Sequence, residues 1–272
     1  MTFCPTIFTK VPIPGISKTE ILKPRQFYRE AIEEHKTNFD ENNIRDFIDA
    51  FLKEMKNSDD KTTTFTDHQL LSVVGDLFAA GTETTATTIR WAILYLIHNI
   101  GIQEKMFKEI NDVVGLSRLP CLADRSNLPF CEAVILETLR VGNIVPFGVP
   151  YSVNEEFIFN GHVFPAGAVV FLSLDSAMYS EETFPNCKQF NPDRFIDEKG
   201  NLCDKDKVLA FSTGRRSCLG EALARMELFL YLTSLVQRFE FRPADSDNLP
   251  TLKGHLGITY TPIPYKCRAI VR

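Results

Sequence analysis

Phe211-Ser212-Thr213-Gly214-Arg215-Arg216-Ser217-Cys218-Leu219-Gly220 is the stretch on which the reading of this chain turns. A lone cysteine is usually a small buried hydrophobe. This one lies in a loop bracketed by Gly214 and Gly220, beside two arginines. It also sits just ahead of an apolar helical run through Leu219, Ala222, Leu223, Met226 and Leu230. The glycines open backbone conformations closed to other residues and let a flat ligand come close. Positive charge and a helix N-terminus stabilise a thiolate more than a thiol. The surroundings of Cys218 therefore favour an anionic sulfur.

Bulk composition frames that loop. The 272 residues are long enough for one large core or two modest ones. Hydrophobic residues make up 44% and charged residues 24%, which is ordinary for a globular protein. A formal net charge of −5 argues against nucleic acid as a partner. The seven cysteines show no C-x-x-C spacing and are odd in number, which fits reduced thiols better than a disulfide framework or a zinc finger. Met1 to Gly15 lacks the basic-then-apolar pattern of a signal peptide, and the most apolar window, Trp91 to Ile97, is too short to span a bilayer.

Periodicity predicts a mainly helical protein with a small β portion. Val11 to Gly15 reads as an extended connector, and helices are predicted over Lys18 to Asn38 and Asn43 to Lys56. The second carries a stripe of Ile44, Phe47, Ile48, Phe51, Leu52 and Met55. Asn57 to Thr64 reads as a polar loop. Thr66 and Gln69 form a capping-box pattern that opens a long helical run from Asp67 to Asn99. Gly81-Thr82-Glu83-Thr84-Thr85 interrupts it with mediocre helix formers. A local distortion with a purpose is the first reading, and a helix break or two separate helices is the plain alternative. Further helices are expected over Glu104 to Val114, Pro129 to Arg140 and Gly220 to Phe239. Asn160-Gly161 signals a hairpin between Phe157 and Phe164. Strands are expected at Val169 to Leu172 and within Ile258 to Ile270.

Four blocks in order resemble the C-terminal half of the cytochrome P450 family. The first is Ala80-Gly81-Thr82-Glu83-Thr84-Thr85, similar to the family's oxygen-activating stretch in a long central helix. The second is Glu137-Thr138-Leu139-Arg140, whose carboxylate and guanidinium share one helical face. The third is Asn191-Pro192-Asp193-Arg194-Phe195, with Asp193 where the family usually has glutamate. The fourth is the cysteine loop, matched at Phe211, Gly214, Arg216, Cys218 and Gly220. Taken singly, each has a duller reading: a packing kink, a common surface pair, a solvated arginine, an inert cysteine. Their order overturns these.

The resemblance implies a haem b cofactor (iron protoporphyrin IX) with Cys218 as the axial metal ligand. A thiolate pushes electron density toward bound oxygen. It also implies that Phe211, Gly214, Gly220, Ala80 and Gly81 lie along the haem and that Arg216 meets a propionate. Glu83 and Thr84 would manage proton delivery, and Glu137, Arg140 and Arg194 would form a buried structural network. Ile144, Val145, Pro146, Phe147, Gly148 and Val149, with Gly257 and Ile258 in the Leu256 to Thr259 turn, would line a substrate cavity. Tyr151 stands where the branch usually has a histidine.

The implied activity is a monooxygenase reaction on an apolar lipid, steroid or xenobiotic. Dioxygen is the oxidant, and electrons come from an NADPH-dependent cytochrome P450 reductase docking near Arg215 and Lys207. The animal microsomal family-2 branch fits best, from about Thr9 to Arg272. Residues 1–272 are accordingly read as a partial domain whose membrane anchor and first half are absent. The full-length form would sit on the cytosolic face of the endoplasmic reticulum. The rival reading is a non-catalytic haem-binding fragment, inactive without that half. A haem-thiolate isomerase is disfavoured by the Glu83-Thr84 pair.

Overall fold

The structure is a computed structural model that describes residues 18–58 and 64–272. The connector read at Val11 to Gly15, and most of the loop after Asn57, lie outside them. The described residues divide into two compact units, one up to Thr82 and one from Glu83 onward.

The first unit contains α1 (Lys18–Thr37), α2 (Phe47–Asn57) and the opening turns of α3 (Asp67–His98). Ile32, Phe51, Leu52 and Leu70 form its small core. Helix α2 starts at Phe47, not at the predicted Asn43, because Asp46 is its N-cap: Oδ1 accepts from the Asp49 amide at 3.1 Å. Ile44, expected on the buried stripe, lies ahead of the helix and is exposed. Thr66 Oγ1 accepts from the Gln69 amide at 3.2 Å, one half of the predicted capping box. The Thr66 amide bonds instead to the Thr64 carbonyl.

Helix α3 runs unbroken from Asp67 to His98, so the alternative of a break or two separate helices does not occur. The threonines find partners without leaving the helix. Thr88 Oγ1 donates to the Thr84 carbonyl at 2.9 Å, and Thr87 Oγ1 donates to Glu83 at 3.2 Å. Thr85, Thr87 and Thr88 are also buried. Packing on that face outweighs a propensity deficit of a few tenths of a kcal/mol per residue.

In the second unit α4 (Ile100–Val113), α5 (Pro129–Gly142) and α7 (Glu221–Arg238) surround one large core with the rest of α3. Trp91, Leu94, Met106, Ile110, Ile135, Phe195 and Phe229 are almost wholly buried there. Every residue of α5 from Phe130 to Gly142 is buried. Its N-terminus has no cap of its own, and Glu109 from α4 supplies one: its two carboxylate oxygens accept from the Phe130 and Cys131 amides at 2.9 and 2.8 Å. The short α6 (Leu174–Met178) follows α5 in the chain.

Four two-stranded antiparallel sheets complete the described fold. β1 (Tyr151–Ser152) pairs with β4 (Val169–Val170), and β2 (Phe157–Phe159) with β3 (His162–Phe164). The β2–β3 turn is the predicted Asn160-Gly161, with φ of 48° and 80°. β5 (Phe239–Pro243) pairs with β8 (Cys267–Val271), and β6 (Gly254–Leu256) with β7 (Tyr260–Pro262). Buried Gln103 fastens β5 to α4, donating to the Phe241 carbonyl at 3.0 Å and accepting from its amide at 2.7 Å.

Candidate functional site

The cysteine loop is closed by its own backbone. The Cys218 amide donates to the Phe211 carbonyl at 2.9 Å, and the Ser217 amide to the Gly214 carbonyl at 3.1 Å. Ser212 and Gly214 take positive φ, 61° and 76°, to make the bend. Gly214 does so without strain, and a side chain there would not. A Cβ at Gly220 would stand 4.0 Å from Cys218 Sγ, an ordinary van der Waals contact. Helix α7 begins immediately after, at Glu221. The Arg225 guanidinium lies 5.0 Å above the Phe211 ring and pairs with Glu221 at 2.8 Å, bracing the loop against the helix.

Cys218 is exposed, and two other cysteines differ from it in kind. Burial pushes the Cys131 thiol well above its ordinary value. The Cys187 sulfur donates to Glu181 at 3.1 Å, and that carboxylate pushes it upward as well. Both are held as thiols. Cys218 instead lines a cavity.

That cavity is lined by Cys218, Phe211, Ser212 and Arg216 from the loop, and by Thr84, Thr85 and Thr88 from α3. Leu139, Ile144, Val145, Gly148, Val149 and Leu174 supply an apolar wall. Tyr151 also lines it, beside Arg216. The donor set fits a flat apolar ligand with a metal at its centre and an anionic edge: one soft sulfur, aliphatic walls, a guanidinium at the rim. Pro146, Phe147, Gly257 and Ile258 are not among the wall residues, and Ile258 is 88% exposed. Nor are Glu83, Ala80, Gly81, Gly214 and Gly220. A Cβ at Gly81 would meet nothing within 4 Å.

Beside the cavity, α5 carries a buried charge network. Glu137 and Arg140 are both fully buried, joined by two bonds: Nε to Oε2 at 2.7 Å and Nη2 to Oε1 at 2.8 Å. Arg140 also donates to the Met178 and Gln189 carbonyls at 2.8 and 3.3 Å. Arg194 Nε reaches Glu137 Oε1 at 3.2 Å, and the Asn191 amide donates to the same oxygen at 2.8 Å. Arg194 binds the Pro185 carbonyl at 3.1 Å as well. Asp193 turns outward to Lys105 at 2.5 Å, which accounts for aspartate being accommodated there. Burial pushes the neighbouring Tyr179 hydroxyl up to about 12, so it stays a donor to the Val141 carbonyl at 2.7 Å.

Three contacts escaped the sequence reading. Thr85 Oγ1 donates to Glu227 of α7 at 3.0 Å, tying the long helix to the one behind the cysteine loop. Trp91 Nε1 donates to the Tyr260 carbonyl at 2.9 Å. Thr259 Oγ1 donates to Glu83 at 3.2 Å. Each joins residues more than a hundred positions apart, and no local spacing announces them.

A cysteine loop ahead of a helix, an apolar cavity shared with a threonine-bearing helix, and a buried Glu-x-x-Arg network are together the features expected of a haem-thiolate type of site. Comparison with known proteins agrees: the family model for Cytochrome P450 matches residues 6–269, and this chain belongs to that family. It is 42% identical to cytochrome P450 2C20 of Macaca fascicularis over 244 residues, which are 89% of this chain and 50% of that protein. Cytochrome P450 2C8 of Homo sapiens is 40% identical over the same shares. Cytochrome P450 2J3 of Rattus norvegicus is 42% identical over 264 residues, 96% of this chain and 52% of that protein. The chain thus spans about half the length of the curated relatives it matches. Among the described residues, no helix is long and apolar enough to cross a membrane.

Proposed function

We propose that this chain carries the proximal and oxygen-handling portion of a haem-thiolate monooxygenase acting on an apolar small molecule. The observation that carries the reading is a single cavity with Cys218 and Thr84 on its walls and aliphatic side chains between them. Cys218 would hold haem iron through its sulfur, Arg216 would take a propionate, and Phe211 would flank the ring. Bound there, haem supplies the iron centre at which dioxygen is reduced and one oxygen atom is transferred to substrate.

The chain's own residues account for the rest. Glu137, Arg140 and Arg194 fix α5 and the segment after it, and so hold the cavity wall that α5 contributes. Ile144, Val145 and Val149 offer only apolar contact, which selects a lipid, steroid or xenobiotic over a charged substrate. Glu83 is exposed, where it can exchange protons with water, and Thr84 is its neighbour on the cavity wall. The balance needs two electrons and two protons per turnover; one oxygen enters the substrate and the other leaves as water. The electrons would come from an NADPH-dependent reductase, and the whole protein would work at the cytosolic face of the endoplasmic reticulum. The test is oxygen consumption and product formation by the haem-loaded chain with NADPH and purified reductase. Product containing one atom from labelled dioxygen is expected; haem retention without any product would overturn the assignment as an oxygenase.

A further inference from the structure

The two sides of the Glu83 carboxylate are unequal. Oε1 accepts two hydrogen bonds, from Thr87 Oγ1 one turn along the helix and from Thr259 Oγ1, both at 3.2 Å. No hydrogen bond reaches Oε2 from the described residues. Both donors are buried, at 1% and 6% exposure, whereas Glu83 itself is exposed.

Thr259 is not there by the accident of a loose loop. The turn between β6 and β7 is closed by the Gly257 amide donating to the Thr259 carbonyl at 3.0 Å. The next residue, Tyr260, is fixed four times. Its amide donates to the Ile144 carbonyl at 2.7 Å, its carbonyl accepts from Trp91 Nε1, and its ring stacks on Trp91 at 5.3 Å. Its hydroxyl also accepts from the Gly254 amide at 2.8 Å. Trp91 is two helical turns beyond Glu83 on α3, so the anchor and the contact belong to one rigid element. The hydroxyl of Thr259 is presented to Glu83 by a pre-organised turn, and little side-chain freedom is lost in making the bond.

We propose that Thr259 is a positioning residue for Glu83. With Thr87 it holds Oε1 inward and leaves Oε2 as the oxygen that takes a proton from water and releases it toward the cavity wall at Thr84. This rests on the monooxygenase reading for its purpose, but not for its geometry. In the turn that the resemblance assigns to a substrate cavity, the buried Thr259 then acts on the site through Glu83.

Two measurements on the chain as sequenced test the proposal. The first needs no haem: a double-mutant cycle of Thr259→Val and Glu83→Ala, each of which removes the bond, followed by urea unfolding. A hydrogen bond to a carboxylate should appear as a coupling of roughly tenfold in the unfolding equilibrium constant. Additive effects would overturn the positioning claim whatever the function. The second measures product formed per NADPH consumed by the haem-loaded protein. Thr259→Val should lower that ratio several-fold at unchanged KM, with the electrons lost to peroxide, and Thr259→Ser should restore it. Full coupling in Thr259→Val would reduce the bond to a structural one and end the proposal. If the wild-type chain fails to give the thiolate spectrum of a haem-bound cysteine, the monooxygenase reading and the relay fall together. The cycle then still decides whether Thr259 holds Glu83.

Discussion

The Glu137 network and the Cys218 loop belong to the same unit and are built on opposite principles. Glu137 and Arg140 are completely buried, and the charges there are met by side-chain and backbone partners within the chain. The loop is held by backbone bonds and a brace from Arg225, and its sulfur is exposed toward a cavity. The first region is finished by the fold; the second is shaped for something the fold does not itself supply. Stability should therefore be concentrated where there is no chemistry, and chemistry where there is little stability.

The largest expected effect breaks the buried side of that contrast. Glu137→Gln leaves Arg140 charged, buried and uncompensated, and should cost about 3–5 kcal/mol in urea unfolding. Arg194→Gln, at the edge of the network with its side chain 10% exposed, should cost less, about 1–3 kcal/mol. Equal losses from the two would show that the network has no inner and outer member. In the loop, Gly214→Ala forces a side chain onto φ of 76° and should cost about 1 kcal/mol, read as a lowered urea midpoint.

A smaller effect belongs to the first unit and is sensitive to pH. His35 Nδ1 faces the Ala31 carbonyl at 2.8 Å and Nε2 faces Asp46 at 2.6 Å, so only the imidazolium can donate to both. Burial draws its pKa down, but these two bonds outweigh burial and leave it above the ordinary 6.5. The folded value exceeds the unfolded one, so the stabilisation is complete below about pH 6.5 and fades as pH rises through the folded value. Asp46 is nearly half exposed, which limits the effect to under about 1 kcal/mol. The urea midpoint of wild type should fall over that rise, and His35→Gln should flatten the dependence.

What was legible in the sequence follows the same division. The helices were readable because stripes such as Phe47, Phe51 and Leu52 repeat with helical period, and Glu137 and Arg140 because spacing of three puts them on one face. The start of α2 was misplaced because apolar Ile44 extends the stripe, whereas Asp46 decides where the hydrogen-bonded turns begin. The weak residues around Thr85 allow a helix break in the sequence because propensity is local and their burial is not. Strands β1, β5 and β6 left little trace: two to five residues carry too little period to read, and their partners are set by the fold. The cysteine loop stood out because its chemistry lies in adjacent residues. The partner of Glu83 did not, because Thr259 is 176 positions away.

The most direct test of the account is the carbon monoxide difference spectrum of the reduced, haem-loaded chain, measured on wild type and Cys218→Ala together. Wild type should show the strongly red-shifted Soret band of a thiolate-ligated haem. Cys218→Ala should lose that band while the unfolding free energy of its haem-free form stays within about 0.5 kcal/mol of wild type, as expected for an exposed side chain. A red-shifted band that survives in Cys218→Ala would contradict the assignment of Cys218 as the iron ligand.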